Sequence, residues 1–108
     1  MRSYPRSRVT GETVRGVVAR ILIEDVKDPR VELVTVTGVE VSADRRHANV
    51  YVIAHGGPDR YKEALAGLES AKGRIRKSLG EAVRRKYVPE LHFMVDPRGD
   101  EADRITEG

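Results

Sequence analysis

Apolar residues first recur along the chain with the period of an α-helix. Val14, Val17, Val18 and Ile21 are spaced i, i+3, i+4 and i+7, which places them on one side of an amphipathic helix. The start of this helix is expected between positions 7 and 12. Its end is expected at residues 27–30, because the proline at position 29 disfavours α geometry in the residue before it.

A β-strand rich in β-branched residues is predicted next, over residues 33–41. Its alternation changes phase, since the first two valines (34 and 36) share one parity and the last two (39 and 41) the other. One extra residue at Gly38, a β-bulge, would bring all four valines to the same face.

Two further strands are predicted. After a turn over residues 42–46, alanine and valine alternate with larger or polar residues from His47 to Ala54, close enough to the first strand to form an antiparallel hairpin. Near the end of the chain, Leu91, Phe93 and Val95 alternate as a third strand, which Pro97 ends.

Between these strands, one apolar stripe at helical spacing runs from Tyr61 to Val83. It permits a single helix of more than 25 residues, which is long for a small domain. Gly73 costs about 1 kcal/mol relative to alanine in a helix and is the natural place for a bend. The pattern leaves open whether the helix is straight or bent. The order helix, strand, strand, long helix, strand predicts a small α+β domain.

Composition limits the possible functions. The chain has 108 residues, enough for one domain, and no cysteine, which excludes disulfides, thiolate metal sites and cysteine nucleophiles. The longest apolar run has five residues (50–54) and is too short for a membrane span. The cationic N-terminal residues lead into no apolar signal core. We therefore expect a soluble, cytoplasmic protein that does not bind membranes.

Positive charge is concentrated on the second part of the long helix. Positions 72–86 carry seven Lys or Arg and one acid, a net +6, whereas the whole chain carries +3. On a wheel with Ile75 at zero, the apolar residues lie within about 80° and four cations fall between roughly 180° and 280°. Those cations are Arg74, Lys77, Arg84 and Arg85. They span about 16 Å of helix, enough to meet several phosphates of a folded RNA.

Other interpretations of this charge remain open. Cations on a helix most often form a solvated face, but Glu81 is the sole acid in the segment that could pair with them at i+4. A membrane surface fits poorly, because the apolar face is needed for the core. An acidic protein is a further possible partner. Tyr51 could stack on a base from the open face of the sheet or could pack within the protein.

Catalysis is not predicted. Asp25, Asp28 and His47 show no catalytic spacing, and Asp28 is interpreted as a turn residue. His47, His55 and His92 are interpreted as isolated residues, so no metal is expected. No nucleotide-binding loop is present, and no cofactor or small-molecule substrate is expected. An RNA-processing enzyme would need a nucleophile, a base and a metal, which no residue set here supplies.

Several segments together resemble the ribosome-binding factor A family, over about residues 6–96. None is specific alone, but their order and spacing match. They are Lys27-Asp28-Pro29-Arg30, Val36-Thr37-Gly38-Val39-Glu40-Val41-Ser42-Ala43-Asp44, Ala48-Asn49-Val50-Tyr51-Val52, Leu68-Glu69-Ser70-Ala71-Lys72-Gly73-Arg74-Ile75-Arg76 and Val88-Pro89-Glu90-Leu91-His92-Phe93.

The resemblance implies a type II KH-like domain over residues 6–96, ordered helix-strand-strand-helix-kink-helix-strand. Its three-stranded sheet would carry the helices on one face. In that family an Ala-x-Gly kink replaces the Gly-x-x-Gly loop of nucleic-acid-binding KH domains. This chain has no Gly-x-x-Gly and carries Ala71-Lys72-Gly73 at the matching position, so the resemblance implies a bent helix.

The implied function is non-catalytic. Such a protein binds the small (30S) ribosomal subunit and assists late maturation of 16S rRNA, including its 5′ end, with a role in growth in the cold. A monomer is expected. A general KH-like RNA-binding protein and a resident small-subunit ribosomal protein are the alternatives.

Two departures from the family pattern concern the ends of the domain. Gly11 stands where a better helix former is expected. Residues 97–108 are acidic on balance and lack the family's closing leucine-rich turn, so they are interpreted as a flexible tail without an assigned function.

The predicted RNA contacts therefore centre on the basic helix. The primary set is Lys72, Gly73, Arg74, Arg76, Lys77, Arg84, Arg85 and Lys86. The secondary set, from elsewhere in the chain, is Arg6, Arg8, Arg15, Arg45 and Arg46.

Overall fold

The fold follows the predicted order of elements. The protein is represented by a computed structural model, which describes residues 11–83 and 88–97, so the predicted tail beyond Pro97 lies outside the described residues. Its elements are α1 (Gly11–Glu24), a short 3₁₀ helix (Pro29–Val31), β1 (Val34–Val41), β2 (His47–Ala54), α2 (Pro58–Val83) and β3 (Glu90–Val95). The predicted α+β class and the three predicted strands are confirmed.

The strands form one sheet in the order β1-β2-β3. β1 and β2 pair antiparallel, which confirms the predicted hairpin, and β2 and β3 pair parallel. Parallel neighbours require a long crossover connection, and α2 lies in that connection. Because these two strands run the same way, their first residues lie side by side, with His47 opposite Glu90.

The predicted bulge in β1 is present. The register shifts between Val36 and Gly38, so the extra residue is Thr37, one position before the predicted one. The Thr37 hydroxyl donates to the buried carboxylate of Asp96 at 2.7 Å. The shift turns all four valines of the strand toward the core, as expected.

Helix α1 buries the predicted stripe, including Val14, Val18 and Ile21. Its glycine at position 11, a departure from the family pattern, has a steric explanation. A Cβ atom at Gly11 would collide with the backbone carbonyl oxygen of Val39 in β1. The helix therefore lies so close to the strand that only glycine fits there without a shift.

Asp28 has the turn role predicted for it. Its carboxylate caps the 3₁₀ helix by accepting a hydrogen bond from the Arg30 amide at 2.9 Å, and it also pairs with the Arg30 guanidinium at 2.6 Å. The 3₁₀ helix packs against α2 at Gly67, where a Cβ would lie 3.0 Å from both Arg30 Cβ and Val31 Cγ1. Gly67 thus allows the close approach of the two elements.

Residues Pro58–Val83 form one continuous α-helix. The expected division into two helices at Ala71-Lys72-Gly73 is therefore not confirmed. Glycine lowers helix stability but retains its backbone N–H, so it does not by itself interrupt the hydrogen bonding. A Cβ at Gly73 would meet nothing within 4 Å, and thus no close packing requires glycine there.

A single aliphatic core joins both helices to one face of the sheet. Leu68, Ile75 and Leu79 of α2 are fully buried against residues of α1 and of the central strand β2, such as Val50. Ala82, which the stripe also placed toward the core, is exposed. Within the described ranges, no helix is both long and apolar enough to cross a membrane.

Candidate nucleic-acid interface

The described part of the basic segment lies on the second half of α2, from Lys72 to Val83. Five of the predicted contacts fall there and three fall outside the described residues. The five are Lys72, Gly73, Arg74, Arg76 and Lys77, and the other three are Arg84, Arg85 and Lys86.

Burial separates these cations into two groups. Arg74 and Lys77 are exposed, whereas Lys72 and Arg76 are partly buried. The buried residue Ile75 fixes the rotation of the helix, so residues at about 200° and 260° from it, Lys77 and Arg74, point to solvent. The outward face predicted from the wheel is confirmed for these two cations.

Arg76 makes hydrogen bonds within the protein. Its Nε donates to the Pro89 carbonyl at 3.2 Å and its Nη2 donates to the Val88 carbonyl at 3.1 Å. The guanidinium therefore ties the second half of α2 to the residues that lead into β3. Two of its five N–H groups are used in this way, and the remaining N–H groups can still meet a phosphate.

Lys72 has an acidic neighbour that the sequence argument overlooked. Its Nζ lies 3.0 Å from Glu69 Oε1, one turn earlier on the same helix. The charge count began at Lys72 and so did not include Glu69. Because such exposed pairs contribute only about 0.2–1 kcal/mol, a phosphate can displace this carboxylate at little cost.

Arg74 lies against the end of α1. Its Nη1 donates to the Asp25 carbonyl at 3.3 Å, and Ser78 Oγ donates to the Asp25 carboxylate at 3.1 Å. A groove of about 310 Å³ opens beside this contact, at the predicted kink; its lining includes Lys27, Ala71 and Arg74. Lys27 is exposed and was not among the predicted contacts, because its proximity to α2 depends on the packing of α1.

Lys77 makes no hydrogen bond or ion pair with any residue in the described ranges. Its ammonium group can thus meet an external anion without losing a contact to any described residue. Lys77 fits the predicted role of a phosphate contact better than the partly buried cations do.

Of the secondary cations, Arg6 and Arg8 lie outside the described residues. The other three lie in α1 and in the turn between β1 and β2. Arg15 pairs with Glu12 at 2.8 Å, and its guanidinium lowers the pKa of that carboxyl below its usual value. Arg45 and Arg46 are exposed in the turn between β1 and β2.

The β1–β2 turn is held in shape by Asp44. Its carboxylate accepts hydrogen bonds from the Ser42 hydroxyl at 2.6 Å and the Arg46 amide at 3.0 Å, and these bonds lower the pKa of Asp44. Arg45 adopts a left-handed φ of 63°, which is uncommon for a residue with a side chain.

The turn and the basic helix meet at the start of β3. The Glu90 amide donates to the Arg46 carbonyl at 2.8 Å, directly after the two residues that accept from Arg76. Arg46, through its backbone carbonyl, and Arg76, through its side chain, therefore both bind the short segment of residues 88–90.

Two histidines are not isolated, and the prediction was wrong on this point. His47 Nδ1 and His92 Nε2 lie 3.0 Å apart, and the ring centroids are 5.1 Å apart. They belong to neighbouring strands, so only the parallel pairing of β2 and β3 reveals their proximity.

On the same face of β2, the Tyr51 hydroxyl donates to Glu40 at 2.8 Å.

Related proteins show the family of this chain. The sequence profile of ribosome-binding factor A matches residues 6–107. The ribosome-binding factor A of Halothermothrix orenii is 43% identical over 102 residues, 94% of this chain and 84% of that protein. That of Clostridioides difficile is 45% identical over 97 residues, 89% of this chain and 75% of that protein.

A crystal structure and a fitted homology model from the family agree with these sequence matches. The crystal structure of ribosome-binding factor A from Thermus thermophilus has a TM-score of 0.70 and 29% identity, covering 79% of this chain and 89% of that one. A homology model of the Thermus thermophilus factor, fitted into the cryo-EM map of a 30S–RbfA complex, has a TM-score of 0.66 and 30% identity, covering 78% and 88%. By sequence and by fold, this chain belongs to the ribosome-binding factor A family.

Proposed function

We propose that the protein binds the small (30S) ribosomal subunit and promotes late maturation of 16S rRNA, including processing of its 5′ end, with a role in growth in the cold. The observation that carries the proposal is membership of the ribosome-binding factor A family together with a relative fitted into a map of a 30S complex. The protein acts by binding RNA and changing its folding, and catalyses no reaction itself. Its place of action is the cytoplasm, where the subunit is assembled.

The proposed RNA-binding face centres on Arg74 and Lys77. Both are exposed, and Lys77 has no internal partner among the described residues. Arg84 and Arg85, outside the described residues, belong to the same face by the helical wheel, and Lys86 belongs to its flank. Lys72 and Arg76 contribute from its edges, where Lys72 exchanges Glu69 for a phosphate and Arg76 keeps its two backbone contacts.

A second group of cations extends this face. Arg45 and Arg46 lie in the turn whose backbone bonds to the start of β3, next to the carbonyl groups held by Arg76. RNA lying along α2 would reach this turn without leaving the protein surface. Arg6, Arg8 and Arg15 are secondary contacts, and Arg15 must first leave Glu12.

The domain is proposed to be KH-like, of type II. Support comes from the element order and from β3 pairing parallel to the central strand. Ala71-Lys72-Gly73 takes the place of the Gly-x-x-Gly loop, beside the groove that Lys27 and Arg74 line. The proposed bend lies at Gly73 and forms when the subunit is bound, because glycine lowers the stability of the helix at that position.

Binding depends mainly on phosphate charge. Neutralising four phosphates predicts a log–log salt slope of roughly −3 to −4 by analogy with other nucleic acids. Phosphate contacts give affinity and position, whereas the choice of site comes from RNA shape or from ribosomal proteins. One copy of the chain is proposed to act alone.

The test is co-sedimentation with purified 30S subunits. The wild type is expected to pellet with the subunits at low salt, and the variant with Arg74, Lys77, Arg84 and Arg85 changed to alanine to remain in the supernatant. Assembly precursors should retain more protein than subunits from polysomes, which separates an assembly factor from a resident ribosomal protein. Unchanged binding by the quadruple variant would overturn the assigned face.

A further inference from the structure

A cluster of metal-ligating side chains lies at the edge where β2 and β3 begin. It consists of His47, Glu90 and His92, whose ligand atoms all lie within 4.8 Å of one another. His47 and Glu90 are exposed and His92 is partly buried. An ion from solvent can therefore reach the cluster without any opening of the fold.

The topology of the sheet produces this cluster. His47 is the first residue of β2 and lies opposite Glu90, the first residue of β3. Glu90 and His92 are two positions apart, so their side chains point to the same face of β3. On β2 the neighbouring Ala48 points to the core and is fully buried, which leaves His47 on the outer face of the sheet.

The distance between the two rings suits two ligands of one metal ion. His47 Nδ1 and His92 Nε2 are 3.0 Å apart. Two imidazole nitrogens at about 2.0–2.1 Å from one ion are separated by roughly 2.9 Å in octahedral and 3.4 Å in tetrahedral geometry. The observed separation, which is also that of a hydrogen bond between the rings, lies within this range, so an ion could replace the shared proton with little change in the distance between the two nitrogens.

The ligand chemistry selects the class of ion. Imidazole nitrogens favour zinc, nickel, copper and other late transition metals, whereas magnesium and calcium prefer oxygen ligands alone. A carboxylate completes a three-residue set of two histidines and one glutamate, which occurs in zinc sites that keep a position open to water. We propose that His47, Glu90 and His92 bind one divalent transition-metal ion, with zinc as the natural candidate.

Binding of the ion would fasten β3 to the central strand at the point where β3 begins. The same segment is held by the Arg76 contacts to Val88 and Pro89. The metal site therefore links the sheet to the segment that follows the basic helix. A ligand that binds only the folded arrangement of these residues stabilises the fold in proportion to its occupancy.

The first test is zinc titration of the full-length protein without an affinity tag, followed by isothermal calorimetry and by thermal unfolding. The wild type is expected to bind one zinc ion per chain and to show a higher melting temperature with zinc. Replacing zinc with Co²⁺ should give visible absorption bands whose intensity reports the coordination geometry.

The variants identify the ligands. Losing a hydrogen-bond partner of a metal ligand weakens metal binding by about 10–100-fold. Losing a ligand itself should cost at least as much, so His47→Ala and His92→Ala should each weaken zinc binding at least ten-fold. Glu90→Gln keeps an oxygen atom at the site and should weaken zinc binding by a smaller factor. His55→Ala is the matched control, because His55 is an exposed histidine in the loop after β2, and it should bind zinc as the wild type does. Circular dichroism without metal checks that each variant is folded.

Two results would overturn the proposal. One is the absence of saturable zinc uptake by the folded wild type. The other is uptake, and the same rise in melting temperature, in the double variant His47→Ala/His92→Ala. Binding of 30S subunits is measured separately and does not enter this test, so the metal site and the proposed function can fail independently.

Discussion

The two halves of α2 bury the same kind of stripe but carry different charge. Residues 58–71 contain two cations and three acids, whereas residues 72–83 contain four cations and one acid. In the first half Arg60 pairs with Glu63 at 2.8 Å; in the second half Lys77 has no partner among the described residues. Folding therefore accounts for the apolar face of both halves, whereas the positive charge of the second half exceeds what the acids of that half can neutralise.

The two halves of α2 should be anchored equally in the hydrophobic core. Leu68 and Ile75, one from each half, are both fully buried. Leu68→Ala and Ile75→Ala should each lower the free energy of unfolding by about 2–5 kcal/mol, because each leaves a cavity. Urea unfolding followed by circular dichroism measures both. A loss well below 1 kcal/mol for either variant would show that its half of the helix is not anchored in the core.

Replacing a glycine with alanine should affect the stability of the fold differently in the two halves of α2. Gly67→Ala introduces a methyl group 3.0 Å from Arg30 and Val31, an overpacking cost of about 1–3 kcal/mol against a gain of about 1 kcal/mol in helix propensity. Gly73→Ala meets no neighbour and should stabilise the fold by about 1 kcal/mol.

Gly73→Ala also tests the proposed bend. If the helix bends there on the subunit, the stabilised variant should bind 30S subunits more weakly than the wild type does. Wild-type affinity in a more stable Gly73→Ala protein would rule out a required bend at this residue. Gly67→Ala serves as the control for a glycine change in the same helix.

The first half of α2 also depends on the 3₁₀ helix that it packs against. Hydrogen bonds from the Arg30 side chain and amide lower the pKa of the Asp28 carboxyl below its usual value. Because the folded-state pKa is the lower one, the pair stabilises the fold fully above about pH 4, and its contribution is lost as the pH falls through the folded-state value.

Asp28→Asn should therefore lower the urea midpoint at pH 7 and approach the wild type as the pH falls below 4. Glu81→Gln, which removes an exposed carboxylate without a partner in the described ranges, is the control for the change of charge. A difference between Asp28→Asn and the wild type that stays constant from pH 7 to the acid limit would contradict the assigned pair.

The smallest expected effect lies at the border between the halves. Glu69→Gln removes the pairing partner of Lys72 and should cost about 0.2–1 kcal/mol of stability. It also leaves Lys72 free for phosphate, so 30S binding should become slightly tighter at low salt. Weaker 30S binding by the Glu69→Gln variant would show that Lys72 acts only within the protein.

Periodicity predicted most of the fold because it reports burial directly. The stripe of α2, the valines of β1 and the alternation of β2 all reflect which side chains face the core. The bulge was predictable for the same reason, since only an extra residue reconciles the two phases of β1. Its placement at Thr37 instead of Gly38 depends on hydrogen bonding that the pattern does not encode.

Contacts between distant residues could not be predicted in this way. The proximity of His47 and His92 requires the parallel register of β2 and β3, which the sequence leaves unspecified. The role of Arg76 depends on backbone carbonyl groups, which every residue has, so no residue type marks them. Gly11 was recognised as unusual for a helix start, but its cause is the closeness of β1.

The most direct test of the account is the salt dependence of 30S binding by two charge-matched variants, at constant magnesium. Arg74→Ala/Lys77→Ala removes two cations from the basic half of α2, and Arg20→Ala/Lys62→Ala removes two exposed cations from α1 and from the other half. The first variant should show a log–log slope smaller in magnitude than that of the wild type by about 1.4–1.8, from 0.7–0.9 per phosphate contact. The second should keep the wild-type slope, and an equal loss in both variants would contradict the assignment of the RNA-binding face to the second half of α2.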